Sequence, residues 1–477
     1  MKLLVCSTII ICYNSNSTTK TILYYYWHSF NGFVVKLNEK EADKMAVVSV
    51  FPDEKRQLLT TRSWDFIGFT QEVERQNYES DVIVGVIDSG VWPESKSFDD
   101  KGFSPPPAKW KGSCQAFDFT CNNKIIGAKF YPPLHHNALS SKDIESPRDS
   151  SGHGTHTAST VAGNSISMAS MLGLAQGTAR GGVPSARIAV YKVCWSDGCN
   201  EASILAAFDD AIKDGVDILS VSISESVSKT NIHFKDVLSV GSFHAMKHGV
   251  LTVLSAGNTG PYPKSLQNYQ PWAIIVGAST LDRKFVTKVK TGNNIAYEGI
   301  SLNTFDLKGK YYPIIYGGDA AKKRPGFDQD SSRNCLTNLM QEQAYIDMAI
   351  SFPLPACYLQ SKDVVKIHTY IRSTSFPTAT IFKTIELKDS LARIVAFFSS
   401  RGLNNVTSEI LKPDLIAPGV DIIASWSPIS PISEIFSETR KLKFNIISGT
   451  SGAAAYIKSF HPTWSPAAIR CTYQFRK

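Results

Sequence analysis

Between residues 81 and 280 the sequence alternates short apolar runs with amphipathic stretches, and that alternation restricts the fold more than any other feature. The run Val82-Ile83-Val84-Gly85-Val86-Ile87 ends at Asp88-Ser89-Gly90, and Arg187 to Val193 is a second strand candidate. Glu201 to Lys213 then places Ile204, Leu205, Ala207, Phe208, Ala211 and Ile212 at helical spacing. Val216 to Val221, the helical Val237 to Lys247, Val250 to Leu254 and Ala273 to Val276 continue the alternation. Strands that are apolar throughout have no solvent-facing side. They predict a mostly parallel sheet covered on both faces by helices, a doubly wound α/β fold. In such sheets active sites gather beyond the carboxyl ends of the strands.

The flanks differ from this region. Residues 22 to 59, rich in Tyr, Val and Phe, read as a small separate unit, and residues 60 to 477 as the main domain. Within that domain residues 315 to 385 break the alternation with Gly317-Gly318, Cys335, Pro353-Leu354-Pro355 and Cys357, which reads as an inserted or remodelled segment. The chain carries 50 Lys plus Arg against 42 Asp plus Glu, and with no dense basic run its +8 excess excludes a face built for nucleic acid. No uninterrupted apolar stretch reaches the roughly 18 residues that cross a bilayer, so no membrane span is expected.

Compartment is read from the cysteines and the amino terminus. Cys114 and Cys121 lie in a loop-rich stretch, and Cys194 and Cys199 bracket the turn sequence Trp195-Ser196-Asp197-Gly198. Both spacings suit short-loop disulfides better than zinc, with free buried thiols as the other reading. Residues 1 to 21 read either as an export signal, with Leu3 to Tyr13 as its apolar core, or as a disordered amino terminus. Asn16 and Asn405 open N-x-Ser/Thr triplets, which become glycosylation acceptors if the chain is exported.

The window Ser151-Gly152-His153-Gly154-Thr155-His156-Thr157-Ala158 sets an imidazole between two glycines, where backbones approach closely and the ring has room for a substrate. Catalysis, a structural role and metal ligation by His153 with His156 are all readings of this window alone, although no nearby carboxylate or thiol pattern completes a metal site. Asp88 closes an apolar strand, as a turn-capping residue or as a carboxylate reaching into a crevice. Ile447-Ser448-Gly449-Thr450-Ser451-Gly452 leads into an Ala-rich helix, so Ser451 is an N-cap or an exposed nucleophile. Together the three are complementary. A serine hydroxyl becomes a nucleophile when a neutral imidazole takes its proton, and a buried carboxylate fixes the tautomer of that imidazole. Ser255-Ala256-Gly257-Asn258 follows an apolar strand, and Asn258 supplies an amide for a developing oxyanion. The chain order Asp88, His153, Asn258, Ser451 is that of the subtilisin arrangement.

With those residues in place the chain resembles the plant subtilisin-like serine proteases, close to the cucumisin group. The similarity runs from Ser29-Phe30-Asn31-Gly32-Phe33 and Thr61-Arg62-Ser63-Trp64-Asp65-Phe66 through Gly181 to Arg187, Leu411-Lys412-Pro413-Asp414 and Ala417-Pro418-Gly419 to His461-Pro462-Thr463-Trp464-Ser465-Pro466. The resemblance implies that Asp88 orients His153, that His156 is not the catalytic ring, that Asn258 is the oxyanion residue and that Ser451 is the nucleophile. It implies a substrate-binding edge at Ser222, Ile223 and Ser224, a cleft wall at Ser255, Ala256 and Gly257, protein or peptide substrates, and no cofactor or metal. It further implies a secreted precursor of the plant apoplast or cell wall, in which residues 22 to 59 are an α+β prosegment acting as folding helper and inhibitor. Thr60 or Thr61 would then begin the mature enzyme, and residues 315 to 385 would be a shortened protease-associated insertion.

The chain also departs from the family pattern. A short stretch normally found between Ser451 and Gly452 is absent, Ser224 and Glu225 stand where relatives carry two glycines, the insertion lacks much of its interior, and the chain ends at Lys477. Side chains at 224 and 225 are expected to crowd the substrate edge. The departures support a second expectation, a catalytically impaired relic or incomplete gene model that at most binds peptides or partners.

Overall fold

The computed structural model describes residues 8–14, 22–26, 28, 31–37, 49–52, 55–58, 64–67 and 77–449, except 116, 133–139, 225–235, 316–347, 405 and 436. The amino-terminal unit is a four-stranded sheet of β1 (Thr8–Asn14), β2 (Ile22–Tyr26), β3 (Asn31–Leu37) and β4 (Ser49–Pro52), in the order β2-β3-β1-β4. β1 is an inner strand, parallel to β3 and to β4. Residues 8–13 of the apolar run Leu3 to Tyr13 lie in β1, so this unit begins before residue 22. A short apolar run suits an inner strand and a signal core alike. β5 (Lys55–Leu58) follows.

The main domain begins with β6 (Ile83–Asp88), β7 (Ile125–Phe130) and helix α1 (His153–Ala162). The hairpin β8 (Ile166–Met171) and β9 (Leu174–Ala179), strand β10 (Arg187–Lys192), and the hairpin β11 (Cys194–Trp195) and β12 (Gly198–Asn200) come next. They are followed by α2 (Glu201–Asp214), β13 (Ile218–Val221), β14 (Ile223–Ser224), α3 (Val237–Lys247), β15 (Leu251–Ser255) and β16 (Ile274–Ser279). Seven strands form the central sheet in the order β23-β16-β15-β13-β6-β10-β7, where β23 is Leu415–Pro418, and every neighbouring pair is parallel.

Alternate residues of these strands face opposite sides, because side chains on a strand repeat every second position. Ile83, Ile87, Leu219, Val221 and Leu254 pack with Leu205 and Phe208 of α2 and Leu238 of α3. Val84, Val86, Ile188, Val190 and Val253 pack with Ala158 and Val161 of α1 on the other face. Helix α2 has Glu201 in its first turn and Lys213 in its last, charges that complement the helix dipole. It stops at Gly215, whose φ of 88° is the left-handed conformation that closes helices. The doubly wound reading of the sequence is thus the observed architecture.

A second, antiparallel sheet is built from β17 (Arg283–Thr291), β18 (Ala296–Ile300), β19 (Tyr312–Pro313), β20 (Tyr358–Leu359), β21 (Thr378–Ile381) and β22 (Ile385–Lys388). The described part of residues 315–385, including α3's later counterpart α4 (Ser361–Ser373), is therefore joined by strand pairing to β17 and β18 rather than set apart. A last hairpin, β24 (Ile422–Ser425) with β25 (Phe444–Ile447), leads toward residue 449. The anticipated disulfides Cys114–Cys121 and Cys194–Cys199 are both formed.

Helix α1 is buried along its whole length, which its Gly, Ala, Ser and Thr content permits. His156, one turn into it, is fully buried and places Nε2 3.1 Å from the carbonyl of Ile422 in β24. A carbonyl only accepts, so Nε2 carries the proton and donates. Burial drives the ring's pKa from 6.5 down to about 3. The unfolded imidazole takes up a proton near pH 6.5 and the folded one only near pH 3, so acid favours unfolding across that window. This ring alone is expected to lower stability by about 1.4 kcal/mol per pH unit between those limits. Urea titrations of wild type and His156→Gln should differ in pH slope by that amount, and equal slopes would contradict it.

Candidate active site

The carboxyl ends of β6, β13 and β15 lie side by side, and each delivers residues singled out in the sequence. Asp88 is the last residue of β6, and His153 is the first of α1. His153 Nδ1 and Asp88 Oδ1 are 2.7 Å apart, and Asp88 is almost wholly buried. The carboxylate also accepts the Ser89 N–H at 2.7 Å and the Thr157 hydroxyl at 3.0 Å, so its orientation is fixed from three sides. Because the carboxylate accepts, Nδ1 holds the ring proton and Nε2 keeps its lone pair. That Nε2 is buried and has no hydrogen-bond partner among the described residues. A basic nitrogen held in this way is poised to take a proton.

The two glycines around His153 are required by contact. Gly152 has φ 92°, and a Cβ there would lie 2.2 Å from the Trp426 ring. At Gly154 a Cβ would lie 2.1 Å from the Gly90 carbonyl. The rings of His153 and His156 face different partners, Asp88 and the Ile422 carbonyl, so they do not converge on a shared metal. Among the described residues there is no cluster of three metal-ligating side chains.

One group in this region was not singled out in the sequence. Asp149 is fully buried, and burial raises its pKa above the usual carboxylate range. Its Oδ1 accepts from the Ser89 hydroxyl at 2.9 Å and from the N–H groups of Ser151 and Gly152 at 3.0 and 2.8 Å. Its Oδ2 accepts from the Thr155 N–H and hydroxyl at 2.9 and 2.6 Å. The Ser89 hydroxyl in turn accepts the Gly154 N–H at 2.8 Å. The turn residues Asp149-Ser150-Ser151-Gly152 were the available signal, since an Asp at such a turn caps following N–H groups.

Beyond β15, Gly257 adopts φ 111° and turns the chain so that Asn258 leaves the sheet edge. Gln267 holds this turn, accepting the Asn258 N–H at 2.9 Å and donating its own N–H to the Ala256 carbonyl at 3.0 Å. The Asn258 side-chain oxygen has no partner among the described residues. Asn268 Nδ2 donates to the carbonyls of Ile223 and Ser255, at 2.9 and 2.8 Å, and so ties the two arms together. Ser222, Ile223, Ser224, Ser255 and Ala256 are all buried here. Ser451 lies outside the described residues, as do Glu225 and Thr60 and Thr61. The described chain ends at Gly449, whose N–H donates to the Gly419 carbonyl at 2.6 Å.

A strand occupies the groove beside these groups. β5 pairs antiparallel with β14, Leu58 opposite Ile223 and Gln57 opposite Ser224, and on its other edge with β12, Arg56 opposite Cys199. Of the two residues expected to crowd this edge, Ser224 is fully buried and stands opposite Gln57 in the ladder, and Glu225 lies outside the described residues. A serine side chain stands out of the sheet plane and leaves the backbone edge open. The second wall, β12, was missed in the sequence. Its only signal was the Cys194–Cys199 pair that closes the β11–β12 hairpin.

Comparison with known proteins agrees with this geometry. The Subtilase family matches residues 79–474, and the Peptidase inhibitor I9 family matches residues 10–59. Subtilisin-like protease SBT4.3 of Arabidopsis thaliana is 47% identical over 93% of this chain and 65% of its own length. Subtilisin-like protease SBT4.9 of the same plant is 46% identical over 93% of this chain and 63% of its own length, so the chain spans a little under two thirds of these relatives. Among solved structures, Sphericase matches at 18% identity and a TM-score of 0.42, over 85% of this chain and 86% of that one. With five sixths of its length matched by this one family, the chain belongs to the subtilases.

Proposed function

We propose that this chain is a serine endopeptidase and that Asp88, His153, Asn258 and Ser451 carry its chemistry. The observation that carries the reading is the Nδ1-protonated His153, held on Asp88 with an unengaged Nε2. Ser451 Oγ gives its proton to His153 Nε2 as it attacks the substrate carbonyl carbon, and the carbonyl oxygen becomes an oxyanion. The Asn258 amide and the Ser451 N–H donate to that oxygen. Imidazolium, stabilised by Asp88, then protonates the departing amine, and the C–N bond breaks to leave an acyl-serine. Water, deprotonated by His153, releases the acid and restores the serine.

The substrate would be an extended peptide lying between β12 and β14, where backbone pairing supplies affinity. β5 occupies that groove with its chain direction set by the register. As β5 runs from Gln57 to Leu58 its partner runs from Ser224 back to Ile223, toward the end of β13 beside Asp88. The amino-terminal unit thus sends its last strand into the catalytic groove as a substrate-like inhibitor, with the mature enzyme beginning at Thr60 or Thr61. Two formed disulfides support an extracellular, oxidising location, the apoplast or cell wall.

Hydrolysis of a fluorogenic peptide tests the reading. Asp88→Asn is expected to lower kcat on the order of 10⁴-fold, the loss seen when a triad acid is neutralised. Asn258→Ala should lower kcat by about 10²–10³-fold, because its donor acts on the transition state. Wild-type kcat in folded Asp88→Asn, or no hydrolysis by folded, processed wild type, would overturn the assignment. Removal of residues 1–59 after folding should raise the rate, and an equal rate with that segment attached would refute the inhibitor role.

A further inference from the structure

We propose that His156 is a positioning residue, which locks the helix carrying His153 to the hairpin that delivers the chain to Ser451. The inference rests on the serine-protease reading above and assigns a role to the second imidazole of the Gly-His-Gly-Thr-His window. Its Nε2–H donates to the Ile422 carbonyl at 3.1 Å, and Ile422 stands opposite Ile447 in the β24–β25 register. Ile447 is the last residue of β25, two positions before Gly449. His153 and His156 are one turn apart on a single rigid helix. A shift at His156 therefore moves the His153 ring relative to the β24–β25 hairpin.

The same two elements are fastened at further points. Ser159 Oγ accepts the Ser425 N–H at 3.1 Å, one turn beyond His156. The Trp426 ring meets the His156 ring edge-on, centroids 6.2 Å apart, and fills the space beside Gly152. The Ser427 hydroxyl donates to the Asp149 carbonyl at 2.7 Å, and Ser448 Oγ accepts the Asp421 N–H at 3.0 Å. Within this lacing the bond of His156 is the one that reaches Ile422, opposite the last residue of β25, whereas that of Ser159 reaches Ser425 at the other end of β24. A buried neutral imidazole suits that task because it offers one fixed donor and a rigid ring, with no charge to desolvate.

The test compares wild type, His156→Phe and His156→Gln by peptide hydrolysis and by amide exchange. His156→Phe keeps a ring and loses the donor, so kcat is expected to fall by about tenfold or more with KM within about twofold, as misplacement by a fraction of an ångström predicts. His156→Gln restores an N–H and should recover most of kcat. Amides of Ile422–Ser425 and Phe444–Ile447 should exchange faster in His156→Phe while those of β6 and β13 stay protected. Wild-type kcat in folded His156→Phe, or unchanged exchange in the β24–β25 hairpin, overturns the proposal. If wild type hydrolyses no peptide but the hairpin alone loses protection, the protease reading falls and the mechanical coupling stands.

Discussion

The hydrogen bond between His153 Nδ1 and Asp88 is the constraint around which the site is built. It places a carboxylate under one nitrogen of an imidazole and leaves the other nitrogen without a partner among the described residues. Such a pair needs exclusion of water, fixed donors on the second carboxylate oxygen and a close approach of two backbones. The Thr157 hydroxyl donates to that second oxygen, the Ser89 N–H steadies the oxygen that faces His153, and glycines 152 and 154 permit the close approach. Asp149 secures the loop between them from beneath, collecting five donors on a buried carboxylate.

The central sheet explains why distant residues meet. Parallel strands present all their carboxyl ends on one side, so Asp88, Ser222 and Ser255 emerge as neighbours although they are far apart in the chain. The groove that holds β5 follows from the same geometry, since β14 continues beyond β13 and pairs its backbone edge with β5. β12 provides the opposing edge from a separate hairpin. An extended strand between two edges is held by its backbone, as β5 is between β12 and β14.

Much of this was legible in the sequence because strand and helix periods differ. The runs ending at Asp88 and Leu254, and the helical spacing of Glu201 to Lys213, translate directly into β6, β15 and α2. The Gly-His-Gly window was legible because close packing demands glycine on both sides of the ring. What stayed hidden depends on tertiary partners. Leu3 to Tyr13 carries no mark of an inner strand, and only the pairing of β1 with β3 and β4 reveals one over residues 8–14. His156 acts through an acceptor contributed by a remote segment, and Asp149 adds the remote Ser89 hydroxyl to donors from its own turn, links with no periodicity to reveal them.

The central claim is that this imidazole activates one particular serine. Treatment of folded, prosegment-cleaved protein with a fluorophosphonate, followed by mass spectrometry of its peptides, reads this directly. The account predicts a single adduct on Ser451 that is lost in His153→Ala. Absence of any adduct in a demonstrably folded sample, or an adduct on another serine that persists without His153, would contradict it.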